Sequence, residues 1–351
     1  MQSPRKGRRP GKARQQAGPV LILASRESGG SALATLLGGH PDFYGAPHLN
    51  LLAFDEVWQC VSYGAIPRDP HLHGLWRYLG VMLTGEQSMQ SMQTAQRWLN
   101  HRSQRPTAEV HAELRGLAAP RRLVDYSPLV AQNGAAMRRA IKALPDDTTI
   151  IHLTRDPRRQ GRAMCLPVWQ SIMTSLDFWD RRGLHQACLD VFEIGEQFID
   201  WSVTPPVFDP QFAWHRTQKA ARDVLAELPP DRHVHLDLDA LMQAPETVLE
   251  SLLGRLGAPA DAATIAAMLS TELTEYSVPG PYVAPFGIDF EMIGSPIATA
   301  LHRGALQGRR HEGPTDAAAP LPWRGDGEGL LPQVTLLAQS LGYETTTDAK
   351  R

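Results

Sequence analysis

"LASRESGGSALATLLGGHPDF", residues 23–43, is the stretch on which the fold turns. It continues the apolar run PVLILA (19–24), which Pro and a Ser/Gly turn bound, and such a run predicts a strand buried on both faces. Leu33, Leu36 and Leu37 then recur at helical spacing until Gly38-Gly39 and Pro41 stop the helix. Strand, turn and helix in that order set unpaired N–H groups and the positive end of a helix dipole beside the small residues Ser28, Gly29, Gly30 and Ser31. That arrangement can cradle an oxyanion; a plain structural turn is the alternative. The form GxxxxGK[ST] is absent, with no Lys before Ser31 and no magnesium ligand, which disfavours an ATPase or a kinase. Glu27 stands where an anion would look for a cation, and Arg26 lies one place early.

Outward from this loop the pattern repeats. TTIIHLTRDPRRQGRAM (148–164) predicts a second buried strand, with Asp156 as N-cap and Pro157 at the first helical position. HVHLDLD (233–239) predicts a third strand, leading into a helix whose Val248, Leu249, Leu252, Leu253 and Leu256 share a face. A long helix is expected over 209–230 and a closing helix over 330–343. Strands alternating with helices predict an α/β fold, a P-loop-like parallel sheet flanked by helices. Residues 55–118, rich in Gln, Met, Trp and Arg, are expected to form a helical lid or insertion. The Pro- and Gly-rich stretch 277–329 is expected to cap the site irregularly. One domain over 19–345 should follow a disordered basic tail, 1–18.

The 351 residues carry a net charge of −2, with 35 Lys and Arg against 37 Asp and Glu. Six of the cations (Arg5, Lys6, Arg8, Arg9, Lys12, Arg14) lie in the tail, so the remainder is acidic and a poor partner for nucleic acid. Cys60, Cys165 and Cys188 are widely spaced without a CxxC pair, which argues against a disulfide framework or a zinc site. No metal ligand set is expected. No apolar stretch approaches membrane-spanning length, and the expected location is cytoplasmic.

In context these segments resemble a known family. ASRESGGSALATLLGGHPDFYGAPHLNLLAF resembles the "SPRSGSTLL…HP…PELNLL" opening of sulfotransferases that use 3′-phosphoadenosine 5′-phosphosulfate (PAPS). IIHLTRDPRRQGRAM resembles their "YIHLVRDP", LVDYSPLVA their "VDKSP", and VHLDLDALMQAPETVL their "VRYEDLVxDPE". IGSPIATALH with PLPW and LGYE resembles the "GDPNF…H…W…LGY" ending of members associated with polyketide and nonribosomal peptide biosynthesis. The resemblance implies that Ser28, Gly29, Gly30 and Ser31 hold the 5′-phosphosulfate and that Arg155 holds the 3′-phosphate. It implies in-line transfer of a sulfuryl group to a hydroxyl or amine of a small or carrier-protein-bound acceptor.

The departures fall on polar positions. The loop cation maps to Glu27, the carboxylate of "PELNLL" to His48, the Lys of "VDKSP" to Tyr126, a Ser to Ala163 and the Arg of "RYEDL" to Asp237. Glu27, Ala163 and Asp237 therefore oppose PAPS binding by sign or by lost contacts. Arg26 and Arg162 are the candidates to compensate, although Arg158, Arg159 and Arg162 read equally as a solvated helix face. His48 can serve as the base, since an imidazole titrates near neutrality; a surface histidine is the other reading. His152 is expected in the core, and Asp125 is either a family residue or a turn residue. Tyr276, Tyr282, Phe286 and Phe290 are candidates for an acceptor pocket or for core packing. Three readings follow: a sulfotransferase of secondary metabolism, a relative that runs a dehydration or cyclisation without PAPS, and a binding module.

Overall fold

The computed structural model describes residues 18–25, 27–64, 70–164, 199–200, 207–270, 273–289, 292–297, 315–343 and 345–346. Arg26, Phe290, residues 1–17 and the end of IGSPIATALH lie outside them.

Five parallel strands form the central sheet in the order β2-β3-β1-β4-β7. They are β1 (Val20–Leu23), β2 (Phe43–Gly45), β3 (Arg122–Tyr126), β4 (Thr149–Thr154) and β7 (His233–Asp237). Between β4 and β7, β5 (Ile199–Asp200) pairs antiparallel with β6 (Val207–Phe208); β8 (Thr315–Asp316) pairs parallel with β9 (Thr345–Thr346). The run read as a strand at 19–24 is β1. Val20 and Ile22 enter one apolar cluster with α1, while Leu21 and Leu23 enter another on the opposite face. This is why the run is continuously apolar rather than alternating.

The helices are α1 (Gly30–Gly38), α2 (Val57–Gly64), α3 (His73–Thr84), α4 (Met89–Asn100), α5 (Thr107–Ala118), α6 (Gly134–Ala143) and α7 (Pro157–Met164). They continue with α8 (Pro210–Leu225), α9 (Leu238–Gln243), α10 (Pro245–Leu256), α11 (Ala262–Leu269) and α12 (Pro332–Ser340). Asp209 caps α8 by accepting the Gln211 N–H, and Asp156 accepts the N–H groups of Arg158 and Arg159 at the start of α7. Met137 and Ile141 of α6 and Val224 and Leu225 of α8 cover the Leu21–Leu23 face. Leu33, Leu36 and Leu37 of α1 and Leu249, Leu252, Leu253 and Leu256 of α10 cover the other.

The sheet contains two strands that periodicity does not announce, β2 and β3. β2 has three residues. β3 carries Asp125 within a buried strand, where its carboxylate accepts the Ser127 hydroxyl at 2.6 Å and meets His111 Nε2 of α5 at 3.3 Å. The turn-residue expectation for Asp125 is thereby corrected: helix α5 supplies the partner that a turn backbone would have supplied. His152, by contrast, is a core residue, its Nε2 2.6 Å from Gln218 Oε1 and its imidazole held down to about 4 by burial.

β1 lies between β3 and β4, so successive units run to opposite sides of it. The crevice outside the carboxyl ends of β1 and β4 is thus a topological switch point, where α/β sheets place their ligands.

Candidate active site

Two loops meet at that crevice. The first follows β1, with Glu27 at φ 59 and Gly29 at φ 78, and α1 begins at Gly30. The second follows β4 and contains Arg155, which is 4% exposed. Its Nη1 donates to the Glu27 carbonyl at 3.0 Å, while Trp214 Nε1 donates to the Arg155 carbonyl at 2.9 Å. The Arg155 Nε is buried and, among the described residues, meets no acceptor.

The loop hydroxyls are turned inward. Ser25 Oγ and Ser28 Oγ lie 2.7 Å apart, Ser28 Oγ donates to Gln160 Oε1 at 2.9 Å, and Gln160 Nε2 donates to Ser25 Oγ at 2.8 Å. Gln160 sits on α7 one turn beyond Asp156, a position that the sequence did not single out. A polar residue on the sheet-facing side of a helix start was its only signal.

The glycines serve close packing. A Cβ on Gly30 would lie 2.4 Å from the Tyr126 ring, and one on Gly29 would lie 2.7 Å from Leu238 Cδ2. Tyr126 therefore packs against the loop where the resemblance has a Lys, with its hydroxyl 3.3 Å from the Ser25 carbonyl.

His48 comes from the loop after β2. That loop is held by Asn50, which adopts φ 54 and donates N–H to Ser127 Oγ at 2.8 Å and Nδ2–H to the His71 carbonyl at 3.0 Å. His48 N–H donates to the Gly287 carbonyl at 2.7 Å. Its ring stands edge-on to Tyr126 at 5.1 Å. His48 Nε2 is 2.8 Å from Ser31 Oγ and 3.5 Å from Asp289 Oδ1. Asp289 closes the cluster from the other side: its N–H donates to Ser31 Oγ at 2.9 Å, and its Oδ2 accepts the Ser31 N–H at 3.2 Å. Burial pushes the Asp289 carboxyl up, but His48 and the Ser31 bonds outweigh it and hold it below the ordinary carboxylate range. With Asp289 N–H donating into it, the Ser31 hydroxyl can give its own proton to an unprotonated His48 Nε2, a geometry suited to a base.

The remaining arginines divide between the two expectations. Arg158 is buried and directs its guanidinium at the carbonyls of Ala317, Ala319 and Pro320. Arg159 pairs with Asp239 at 2.9 Å. Arg162 is exposed on α7, in keeping with a helix face. The solvated-face reading therefore fails for Arg158, because the carboxyl-terminal segment folds over α7. Asp237 caps α9 by accepting the Asp239 N–H and also accepts the Tyr343 hydroxyl at 3.0 Å; burial pushes its carboxyl up.

Beside Ser31 lies a cavity of about 210 Å³, lined among others by Thr35, Tyr44, Arg121, Glu275 and Tyr276. Tyr44 OH donates to Glu275 Oε1 at 2.7 Å and lies 2.6 Å from Tyr276 OH. Of the other aromatic candidates, Tyr282 is 92% exposed and Phe286 stacks on His73.

A parallel sheet that delivers a glycine turn, a helix N-terminus and an imidazole to one crevice defines an α/β protein with a switch-point crevice. The chain belongs to the sulfotransferase family, whose profile matches residues 19–262. The sulfotransferase domain from the curacin biosynthetic pathway is similar in fold, with a TM-score of 0.65 and 20% identity over 94% of this chain and 99% of that one. The sulfotransferase domain from the Synechococcus PCC 7002 olefin synthase gives a TM-score of 0.61 and 20% identity, over 97% and 99% of the two chains. No curated protein sequence matches this chain. Among the described residues, no helix is long and apolar enough to cross a membrane, and no three His, Cys, Asp or Glu side chains gather as a metal site.

Proposed function

We propose that the protein transfers a sulfuryl group from PAPS to a hydroxyl or amine of a small or carrier-protein-bound biosynthetic intermediate in the cytoplasm. The observation that carries this reading is His48 Nε2 lying 2.8 Å from Ser31 Oγ at the start of α1. Ser31, on which that base rests, both starts the cradle helix and lines the 210 Å³ cavity. The cradle fits an anion in kind, since the Asp289 carboxylate already accepts the Ser31 N–H. Ser31 and the backbone of Gly29 and Gly30 would hold the phosphosulfate, and Arg155, whose buried Nε meets no acceptor among the described residues, would hold the 3′-phosphate. The donor supplies an activated sulfuryl group on a phosphate leaving group. His48 accepts the proton of the acceptor hydroxyl, the α1 N-terminus lowers the energy of negative charge beside it, and the cavity orients the acceptor.

A second reading, another reaction such as dehydration or cyclisation with His48 as base and without PAPS, is favoured by the buried Glu27 in the loop. Calorimetric titration with 3′-phosphoadenosine 5′-phosphate separates the two. The first reading expects binding with Kd below about 1 mM, equivalent to about −4 kcal/mol; no heat at that concentration removes PAPS from the function. Under the first reading His48→Ala should lower sulfuryl transfer by about 10² to 10⁴ with the fold retained. Undiminished turnover in the folded variant would exclude His48 as the base.

A further inference from the structure

Asp289 lies 258 residues from Ser31 in sequence yet bonds to it twice, through its backbone N–H and through its carboxylate. It is 7% exposed. A carboxylate on the N–H of the second residue of a nine-residue helix takes the position that a cradle of this kind offers to an incoming anion. Tyr126 and Leu238 press on the loop glycines, Gln160 takes the hydroxyls of Ser25 and Ser28, and Asp289 takes the Ser31 N–H, so the chain itself engages these groups of the cradle.

The residues before Asp289 are held by several contacts. The Gly287 carbonyl accepts the His48 N–H, and Gly287 adopts φ 125 so close to α3 that a Cβ would lie 2.7 Å from Gly74 Cα. Arg77 of α3, fully buried, donates to the carbonyls of Glu275, Val278 and Phe286. These contacts fix the backbone on the N-terminal side of Asp289, so the carboxylate is placed by a dedicated set of bonds.

We infer that Asp289 is an internal occupant of the anion cradle, and that the segment 287–289 is a latch which an anionic donor must displace before it can bind. The inference rests on the reading of the cradle as the donor site. Donor and carboxylate compete for the same N–H and carry the same sign of charge. Removing the charge at Asp289 while keeping its shape therefore raises the affinity of the cradle for anions, where removing a merely structural carboxylate would leave it unchanged or lower it.

Two probes keep the latch and the donor reading apart. Inorganic pyrophosphate reports on the cradle alone, and 3′-phosphoadenosine 5′-phosphate reports on the whole donor site. Asp289→Asn should bind pyrophosphate at least about tenfold more tightly than the wild type in calorimetric titration. Equal or weaker binding by a folded variant overturns the latch, as does absence of pyrophosphate binding in both proteins. If pyrophosphate tightens but the nucleotide binds no better than pyrophosphate, the latch stands and the donor reading falls. Should Asp289→Asn fail to fold, amide hydrogen exchange of the wild type gives the same decision. Saturating pyrophosphate should protect residues 29–32 and speed exchange across 287–289; protection without that loosening overturns the proposal.

Discussion

Gly30 has no room for a side chain, because the ring of Tyr126, itself without exposed surface, fills the space a Cβ would take. Gly30→Ala should therefore overpack the loop and cost about 1–3 kcal/mol, read as a lower urea midpoint at unchanged slope. Tyr126→Ala in the same chain should recover part of that loss relative to Tyr126→Ala alone, since the space is then open. An unchanged midpoint in the single variant would show that the ring moves freely. The glycines of the turn were plain in the sequence, and so was the meaning of a Ser/Gly turn after a strand. What their smallness serves was not, because the ring over Gly30 belongs to a strand about a hundred residues away. The resemblance in sequence implied room for a ligand phosphate; the packing shows Tyr126 and Leu238 against these glycines.

At the scale of elements, β1, β4, β7, α1, α7, α8, α10 and α12 announce themselves through apolar runs, helical spacing and Asp or Pro at helix starts. β2 and β3 do not, for a physical reason. A three-residue strand has no period to detect, and in β3 Arg122 and Asp125 interrupt the apolar pattern; Arg122 donates to the carbonyls of Gly18 and Leu256, and Asp125 meets His111. β2 also ties the cavity wall to the irregular segment, through Tyr44 and Tyr276. Burial, above all, pushes both phenols well above their ordinary value of 10.0, with the Glu275 charge adding to it. The unfolded chain ionises these phenols near pH 10 while the folded chain keeps them neutral. Their contribution is thus fully present below pH 10 and lost as pH rises above it, at about 1.4 kcal/mol per pH unit for each phenol. Tm should fall steeply above pH 10, and Tyr44→Phe should make that fall shallower. An alkaline limb identical in the two proteins would remove Tyr44 from the linkage.

At the scale of the molecule, the irregular chain from Thr274 to Asp289 is fastened to the helical layer by Arg77 and by Gln87, whose Nε2 donates to the Glu275 carbonyl at 2.6 Å. Arg77 bonds three carbonyls and Gln87 Oε1, and burial lowers its charge equilibrium to about 10 despite the nearby Tyr276 and Glu275. Arg77→Met would strip the guanidinium from three carbonyls, of which that of Glu275 keeps Gln87 Nε2 as a donor, an expected loss of about 3 kcal/mol. Arg77→Lys should rescue little, because an ammonium lacks the planar fork that reaches three acceptors. Differential scanning calorimetry checks both, and a Tm for Arg77→Lys equal to the wild type would contradict the fork argument. The sequence by itself determined the α/β class, the parallel order of buried strands and helices, and the arrival of two loops at one crevice, since apolar period and turn chemistry act within a few residues of chain. Only the tertiary structure decided what fills the cradle. Asp289 reaches Ser31 through contacts among α3, the His48 loop and Gly287, and no local pattern encodes a meeting of groups so far apart in the chain.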